Sequence, residues 1–176
     1  MILSHIISPF QSAFISGHLI SHNILATYET LHTMQSKMEG KKGYMAIKID
    51  MSKAYDRVEW GILEAVMGKM GFAPNWIKLV MMCVTSVHYA VLVNGTSSGR
   101  ILPTRGIRQG DPISPYLFLI CTEALSLLLP KADREGEIGG VLTSRRGLRL
   151  NHLFFANDSL LFYRADLFCG TNCLLF

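Results

Sequence analysis

Apolar residues recur at helical spacing between Ser21 and Met38, at Ile24, Leu25, Tyr28, Leu31, Met34 and Met38. The run closes at Gly40, with Lys41 and Lys42 following, which predicts an α-helix. The period then falls to two over Tyr44–Asp50 (YMAIKID), with Ile47 and Ile49 on one face and Lys48 on the other, the mark of a short strand. Ser52 as N-cap and a stripe at Tyr55, Val58, Ile62, Val66 and Met70, stopping at Gly71, predict a helix that begins at once. Pro74 opens a third helix through Trp76, Leu79, Val80 and Cys83.

Downstream, His88–Val93 alternates weakly and meets Asn94-Gly95, a strong hairpin signal. A loop rich in Gly, Arg and Gln runs from Arg105 to Asp111, and Ser114-Pro115 then caps a long apolar helix to about Arg134. Strands are predicted near Val141 and at Leu148–Leu150. The last pattern, His152–Phe162 (HLFFANDSLLF), sets two apolar arms about a polar Asn157-Asp158 tip. Helices mixed with antiparallel hairpins in this order predict an α+β fold, with helices packed on one face of the sheet.

Composition narrows the class. The chain of 176 residues, 49% hydrophobic and 17% charged, is long enough for one domain with a real core, and its balance is globular. A formal charge of +4 suits a polyanionic partner without requiring one. The apolar run Tyr116–Leu129 contains Glu123 and is too short to span a bilayer, so it reads as a buried helix. The N-terminal stretch lacks a basic n-region and breaks at Pro9, so no signal peptide and an intracellular location are expected, nucleus or cytoplasm left open. Cys83 and Cys121 sit in apolar patterns, and Cys169 and Cys173 form a CxxxC without nearby histidines. All four read as reduced thiols.

Two places carry candidate chemistry. Asp50 ends a strand just before a helix start, where a carboxylate either serves the helix dipole, worth about 0.3–1 kcal/mol, or projects from the sheet edge into a site. Asn157-Asp158 is ordinary turn chemistry. A hairpin with both arms buried nevertheless presents its polar tip to a cleft.

Taken in order, AIKIDMSKAYDRVEW (46–60), RGIRQGDPISPYLF (105–118) and FFANDSLLF (154–162) resemble motifs A, B and C of a reverse transcriptase palm, most closely that of plant-like, LINE-type (non-LTR) retrotransposons. QSAFISGHLISHNIL (11–25) resembles the fingers motif of the same family, and residues 71–95 the segment before motif B. The resemblance runs from about Gln11 to Arg164. It implies an RNA-directed DNA polymerase with an antiparallel palm sheet, acting on an RNA template, a DNA primer and dNTPs by two-metal phosphoryl transfer. It implies Asp50, Asn157 and Asp158 at the catalytic positions, with Mg²⁺ (or Mn²⁺) held by Asp50, the Met51 backbone carbonyl and Asp158. Tyr55, Arg108, Gln109 and Gly110 would face the incoming nucleotide, and Lys48, Lys53 and Arg105 the nucleic acid.

The departures are as informative. The family pattern at motif C is Ala-Asp-Asp, and this chain has Ala156-Asn157-Asp158, so a neutral carboxamide replaces the first, principal metal-binding aspartate. Losing or misplacing a metal costs several kcal/mol of transition-state stabilisation, on the order of a thousandfold or more in rate. His18 and His22 stand where the fingers motif has arginine and aspartate. After Arg164 the family pattern stops. The chain is therefore expected to be one partial domain, with a fingers-like segment over 1–43, a palm-containing core over 44–164 and a divergent tail over 165–176, the thumb absent. A second expectation, from another class, is a catalytically dead RNA-binding remnant using basic residues such as Lys48, Lys53, Arg105 and Arg145-Arg146. Oligomeric state is not readable.

Overall fold

The alternation of Tyr44–Asp50 becomes a strand because a much later segment of the chain pairs with it. The structure, a computed structural model, describes residues 3–37, 43–143 and 149–165. The predicted helix end at Met38–Gly40, Lys41, Lys42, Arg145-Arg146, Leu148 and the CxxxC all lie outside those residues.

The chain divides into two compact units, residues 1–52 with 123–176, and residues 53–122. In the first, β1 (Gly43–Asp50), β6 (His152–Phe155) and β7 (Asp158–Ala165) form an antiparallel sheet in the order β1-β7-β6. Pairing of β1 with β7 runs from Gly43 opposite Ala165 to Asp50 opposite Asp158. Because successive side chains point to opposite faces, the sheet has two apolar sides. Met45, Ile47, Phe154, Leu161 and Tyr163 pack with Leu125, Leu129 and Ala132 of α5 (Ser114–Glu135). Tyr44, Leu153, Leu160 and Phe162 pack with Ala26 and Met34 of α2 (Ile20–Ser36), and with Val141 and Leu150 of the short β4–β5 pair (Val141–Leu142, Arg149–Leu150). The α+β class and antiparallel sheet match the sequence reading, but a helix covers each face where the reading put helices on one. The hairpin arms are buried only in part, against their composition: Leu153, Phe154, Phe162 and Tyr163 are buried, Leu160 and Leu161 are half-buried, and Phe155 is exposed.

The buried side of α2 is its small side. Thr30, Thr33 and Met34 are buried, while Ile24, Leu25, Tyr28 and Leu31 are exposed. The Thr33 hydroxyl donates to the carbonyl of Thr143, just beyond Leu142.

In the second unit the helix expected from Ser52 does not form. A 3₁₀ turn covers Tyr55–Arg57, the chain extends through Val58 and Glu59, and α3 runs only from Trp60 to Lys69. The carbonyls of Tyr55 and Val58 are taken by the N–H groups of Ile107 (2.9 Å) and Gly106 (2.7 Å), so they are not free to continue a helical ladder. The break resets the helix phase, and Leu63 and Met67 are fully buried while Ile62 is exposed. Then come α4 (Pro74–Thr85), where Cys83 is exposed, and the hairpin β2 (Tyr89–Val93) and β3 (Thr96–Ile101). Asn94 (φ 51°) and Gly95 (φ 80°) form its turn as the Asn-Gly signal predicts. Helix α5 begins at Ser114 itself, so Ser114 is not its cap, and in the turn ahead of it Asp111 Oδ1 accepts from the Ile113 N–H at 3.0 Å.

The chain opens on the short α1 (Leu3–Ile6), and residues behind it brace the β6–β7 turn. Backbone bonds join Phe154 N to Phe10 O and Ser12 N to Phe154 O. Gln11, 1% exposed, accepts on Oε1 from the N–H groups of Ala13 (3.0 Å) and Ala156 (3.1 Å). Asn23 donates to the Phe154 carbonyl at 2.9 Å, and the His18 ring donates to the Gln11 carbonyl at 2.7 Å. Truncation of Gln11 to Ala removes a buried acceptor from two donors, and denaturant unfolding is expected to report a loss of about 1–3 kcal/mol.

Beneath the hairpin, His152 is fully buried. Its Nδ1–H donates to Asn151 Oδ1 (2.6 Å), and its Nε2 accepts from the Ser126 hydroxyl (2.9 Å). Burial lowers its pKa to about 4. The neutral ring therefore gives stability that is complete above the unfolded value near pH 6.5 and is lost as pH falls toward 4, on the order of 3 kcal/mol in all. Glu123 acts oppositely, since burial raises its pKa although the Ser8 N–H bond (2.9 Å) opposes the shift. Its contribution is present at low pH and fades as pH rises through the folded value. Melting curves across pH 4–7 are expected to fall steeply toward acid for the wild type and to flatten for His152→Leu.

Candidate functional site

Register decides what the end of β1 faces. Asp50, the last residue of β1, lies directly opposite Asp158, the first residue of β7. Residues so paired hold their Cβ atoms roughly 4.5–5.5 Å apart on one face, and like charges in that position repel. Two donors meet the carboxylates. Asn157 Nδ2 donates to Asp50 Oδ1 at 2.9 Å, and Lys48 Nζ lies 3.2 Å from Asp158 Oδ1. The Met51 N–H donates to the Asn157 carbonyl at 3.2 Å, tying the turn to the strand exit.

The tip differs by one residue from the sequence reading. The two loop residues are Ala156 and Asn157, and Asp158 is already paired in β7, opposite Phe155. Ala156 carries φ of 52°, a left-handed conformation that costs a non-glycine residue roughly 1–2 kcal/mol. Gln11 binds the N–H of this strained residue. Neither Gln11 nor Asn23 was singled out from the sequence as a support of the tip. Their signal was their place in the fingers-like stretch 11–25, which does not say what either side chain touches.

A groove of about 410 Å³ in the same unit is lined by Ile24, Tyr28, Leu31, Phe155 and Leu160, together with Lys48 and Asp158. The exposed apolar side of α2 is thus one wall of a concavity that includes a charged pair.

The remaining candidates belong to the second unit. Tyr55 stacks on Phe118, with ring centroids 5.3 Å apart and planes 26° off parallel, and burial raises its phenol pKa. Arg108, Gln109 and Gly110 form an exposed turn in which Gly110 has φ of 88°. The base of that loop is fixed. Trp60 Nε1 donates to the Gly106 carbonyl at 2.7 Å, Arg105 pairs with Glu59 at 3.2 Å, and Gly106 has φ of 90°. A Cβ on Gly106 would stand 3.2 Å from the Asp56 backbone, so only glycine fits without displacement. Lys53 is exposed with φ of 54°.

The donor set does not fit a pair of divalent cations. Among the described residues no group of three His, Cys, Asp or Glu side chains converges. The strand exit offers two carboxylates and a backbone carbonyl, but the amide turns its N–H toward Asp50 and an ammonium already sits on Asp158. Helix α5 is long and apolar enough by composition to cross a membrane, but half of its most apolar stretch is buried within the protein.

A mitochondrial protein of Arabidopsis thaliana, itself uncharacterized, is 48% identical over 76 residues, covering 43% of this chain and 62% of that protein. The retrovirus-related Pol polyprotein of a type-1 retrotransposable element R2 from Popillia japonica is 27% identical over 93% of this chain and 22% of its own length. A 149 kDa protein of transposon TX1 from Xenopus laevis is 25% identical over 91% of this chain and 12% of its own. The chain thus spans less than two thirds of each of these relatives. Apo telomerase from Candida tropicalis, truncated from its C-terminal domain, shares the fold with a TM-score of 0.59 at 16% identity, over 93% of this chain and 31% of that one. The family model described as reverse transcriptase (RNA-dependent DNA polymerase) matches residues 1–166, and the chain belongs to that family.

Proposed function

We propose that this chain is the fingers and palm portion of a non-LTR, LINE-type retrotransposon reverse transcriptase, with nucleotidyl transfer impaired to weak or absent by Asn157. One observation carries the reading. Residues more than a hundred positions apart, Asp50 and Asp158, are register partners at a strand exit, with the substituted Asn157 in contact with Asp50. Similarity to the Pol polyprotein of a retrotransposable element and to a transposon protein supports the element class.

Members of the family use divalent metal ions. In the ancestral arrangement Asp50, the Met51 carbonyl, residue 157 and Asp158 would have held two magnesium or manganese ions. In this chain the carboxylates are engaged by Asn157 and Lys48, so no step is assigned through a metal. Tyr55, Arg108, Gln109 and Gly110 are assigned to the incoming dNTP. The fixed base of their loop supports this, because a preformed exposed turn meets a triphosphate without a large ordering cost. Lys48, Lys53 and Arg105 are assigned to RNA template and DNA primer. Lys48 and Arg105 are held in exposed ion pairs. An exposed pair such as Arg105–Glu59 is worth about 0–1 kcal/mol and yields readily to phosphate.

Primer extension on an RNA template tests the impairment. Wild-type protein is expected to incorporate nucleotides on the order of a thousandfold more slowly than Asn157→Asp, in Mg²⁺ or Mn²⁺. A gain of less than about tenfold on restoring the aspartate would remove Asn157 as the cause.

The exposed cations and the Asn157 contact also favour a second reading, an RNA-binding remnant that keeps the fold without catalysis. Its signature is RNA affinity that falls log-linearly with salt, with a shallower slope for Lys53→Ala and no incorporation under any metal. Binding indifferent to salt would reject this reading.

A further inference from the structure

We infer that the two carboxylates at the β1 exit of this chain find their partners within the chain itself. Asn157 and Lys48 hold the two opposed carboxylates in place of divalent cations, so the site has exchanged metal binding for a hydrogen bond and an ion pair. The inference uses the polymerase reading only to say what was lost. The geometry supplies what replaced it.

Asp50 and Asp158 are forced together by eight consecutive paired positions of β1 and β7, so neither can withdraw without breaking the ladder. Their repulsion must be met by a cation or by donors. The carboxamide of Asn157 meets Asp50 with an N–H at 2.9 Å, using a lone-pair direction that a cation would otherwise take. The ammonium of Lys48 meets Asp158 at 3.2 Å from the diagonal position, since Lys48 itself lies opposite Leu160. Residue 157 has little freedom to do otherwise. Its carbonyl is bound by the Met51 N–H, and its neighbour Ala156 is bound by Gln11. An aspartate placed there would turn a donor into a third negative charge on the same spot. The cluster would then stay closed only when a divalent cation joined it. Asn157 is thus more than the loss of a ligand, because it makes the strand exit stable without metal.

Mn²⁺ titration followed by electron paramagnetic resonance, with thermal melts in MgCl₂ against NaCl of equal ionic strength, tests this on the whole chain. The wild type is expected to show no saturable Mn²⁺ binding dependent on Asp50, and the same melting midpoint in both salts. Asn157→Asp is expected to melt lower than wild type in NaCl, to recover in MgCl₂, and to gain saturable Mn²⁺ binding that a further Asp50→Asn change abolishes. Saturable Mn²⁺ binding by the wild type that Asp50→Asn abolishes would overturn the inference, as would a wild-type midpoint that rises in MgCl₂. If Asn157→Asp does not fold in NaCl, the wild-type titration with its Asp50→Asn control still decides. Primer extension by the same variant separates the two claims. Cation binding without extension leaves this inference standing and removes Asn157 as the cause of impaired nucleotidyl transfer. Wild-type cation binding with extension does the reverse.

Discussion

The antiparallel register of β1 and β7 is the constraint on which the rest of the first unit depends. A strand pair is set one residue at a time, and a slip of one would turn every core side chain to the wrong face. Tyr44 and Phe162 would leave the side facing α2, while Met45, Ile47 and Tyr163 would leave the side facing α5. Burial on both faces therefore locks the register, and the locked register places Asp50 opposite Asp158. The core fixes the acidic pair, and the pair's repulsion is a cost that the turn and Lys48 offset.

That turn stores a second conflict. A two-residue loop between twisted strands favours a first residue with positive φ, and this chain places Ala156 there. The strain is tolerated because Gln11, buried against the hairpin, accepts from the Ala156 N–H, and the Phe10–Ser12 backbone runs along Phe154. Residues from the first twenty-five thus define the geometry of a turn whose carboxylates lie elsewhere in the chain. A substitution in that segment alters the site without touching a carboxylate.

The second unit solves a similar problem with glycine. Gly106 brings the Arg105–Asp111 loop against the backbone of Asp56, where a side chain would collide, and Trp60 and Glu59 hold the flanks. The same contact ends the helix expected from Ser52, because the carbonyls of Tyr55 and Val58 serve the loop instead. Local helical periodicity lost to a pairing nearly fifty residues distant, a competition that no window on the sequence can weigh.

Much of this protein was legible in its sequence. The period of two in YMAIKID, the Asn-Gly turn, Pro74 and the apolar run behind Ser114 each signal an element through local stereochemistry, which needs no partner. The ordered motifs pointed to the family, and the Asn157 substitution was visible in the motif itself. The remainder depended on contacts between distant segments. The buried face of α2 holds Thr30 and Thr33, against the stronger apolar signal of Ile24 and Tyr28. The donors that satisfy Asp50 and Asp158, and the support from Gln11, exist only once the ladder is formed. Sequence determined the elements and the chemical groups, because backbone preference and side-chain type are properties of short segments. Tertiary structure alone decided which groups face one another, because register and burial are settled by the whole fold at once.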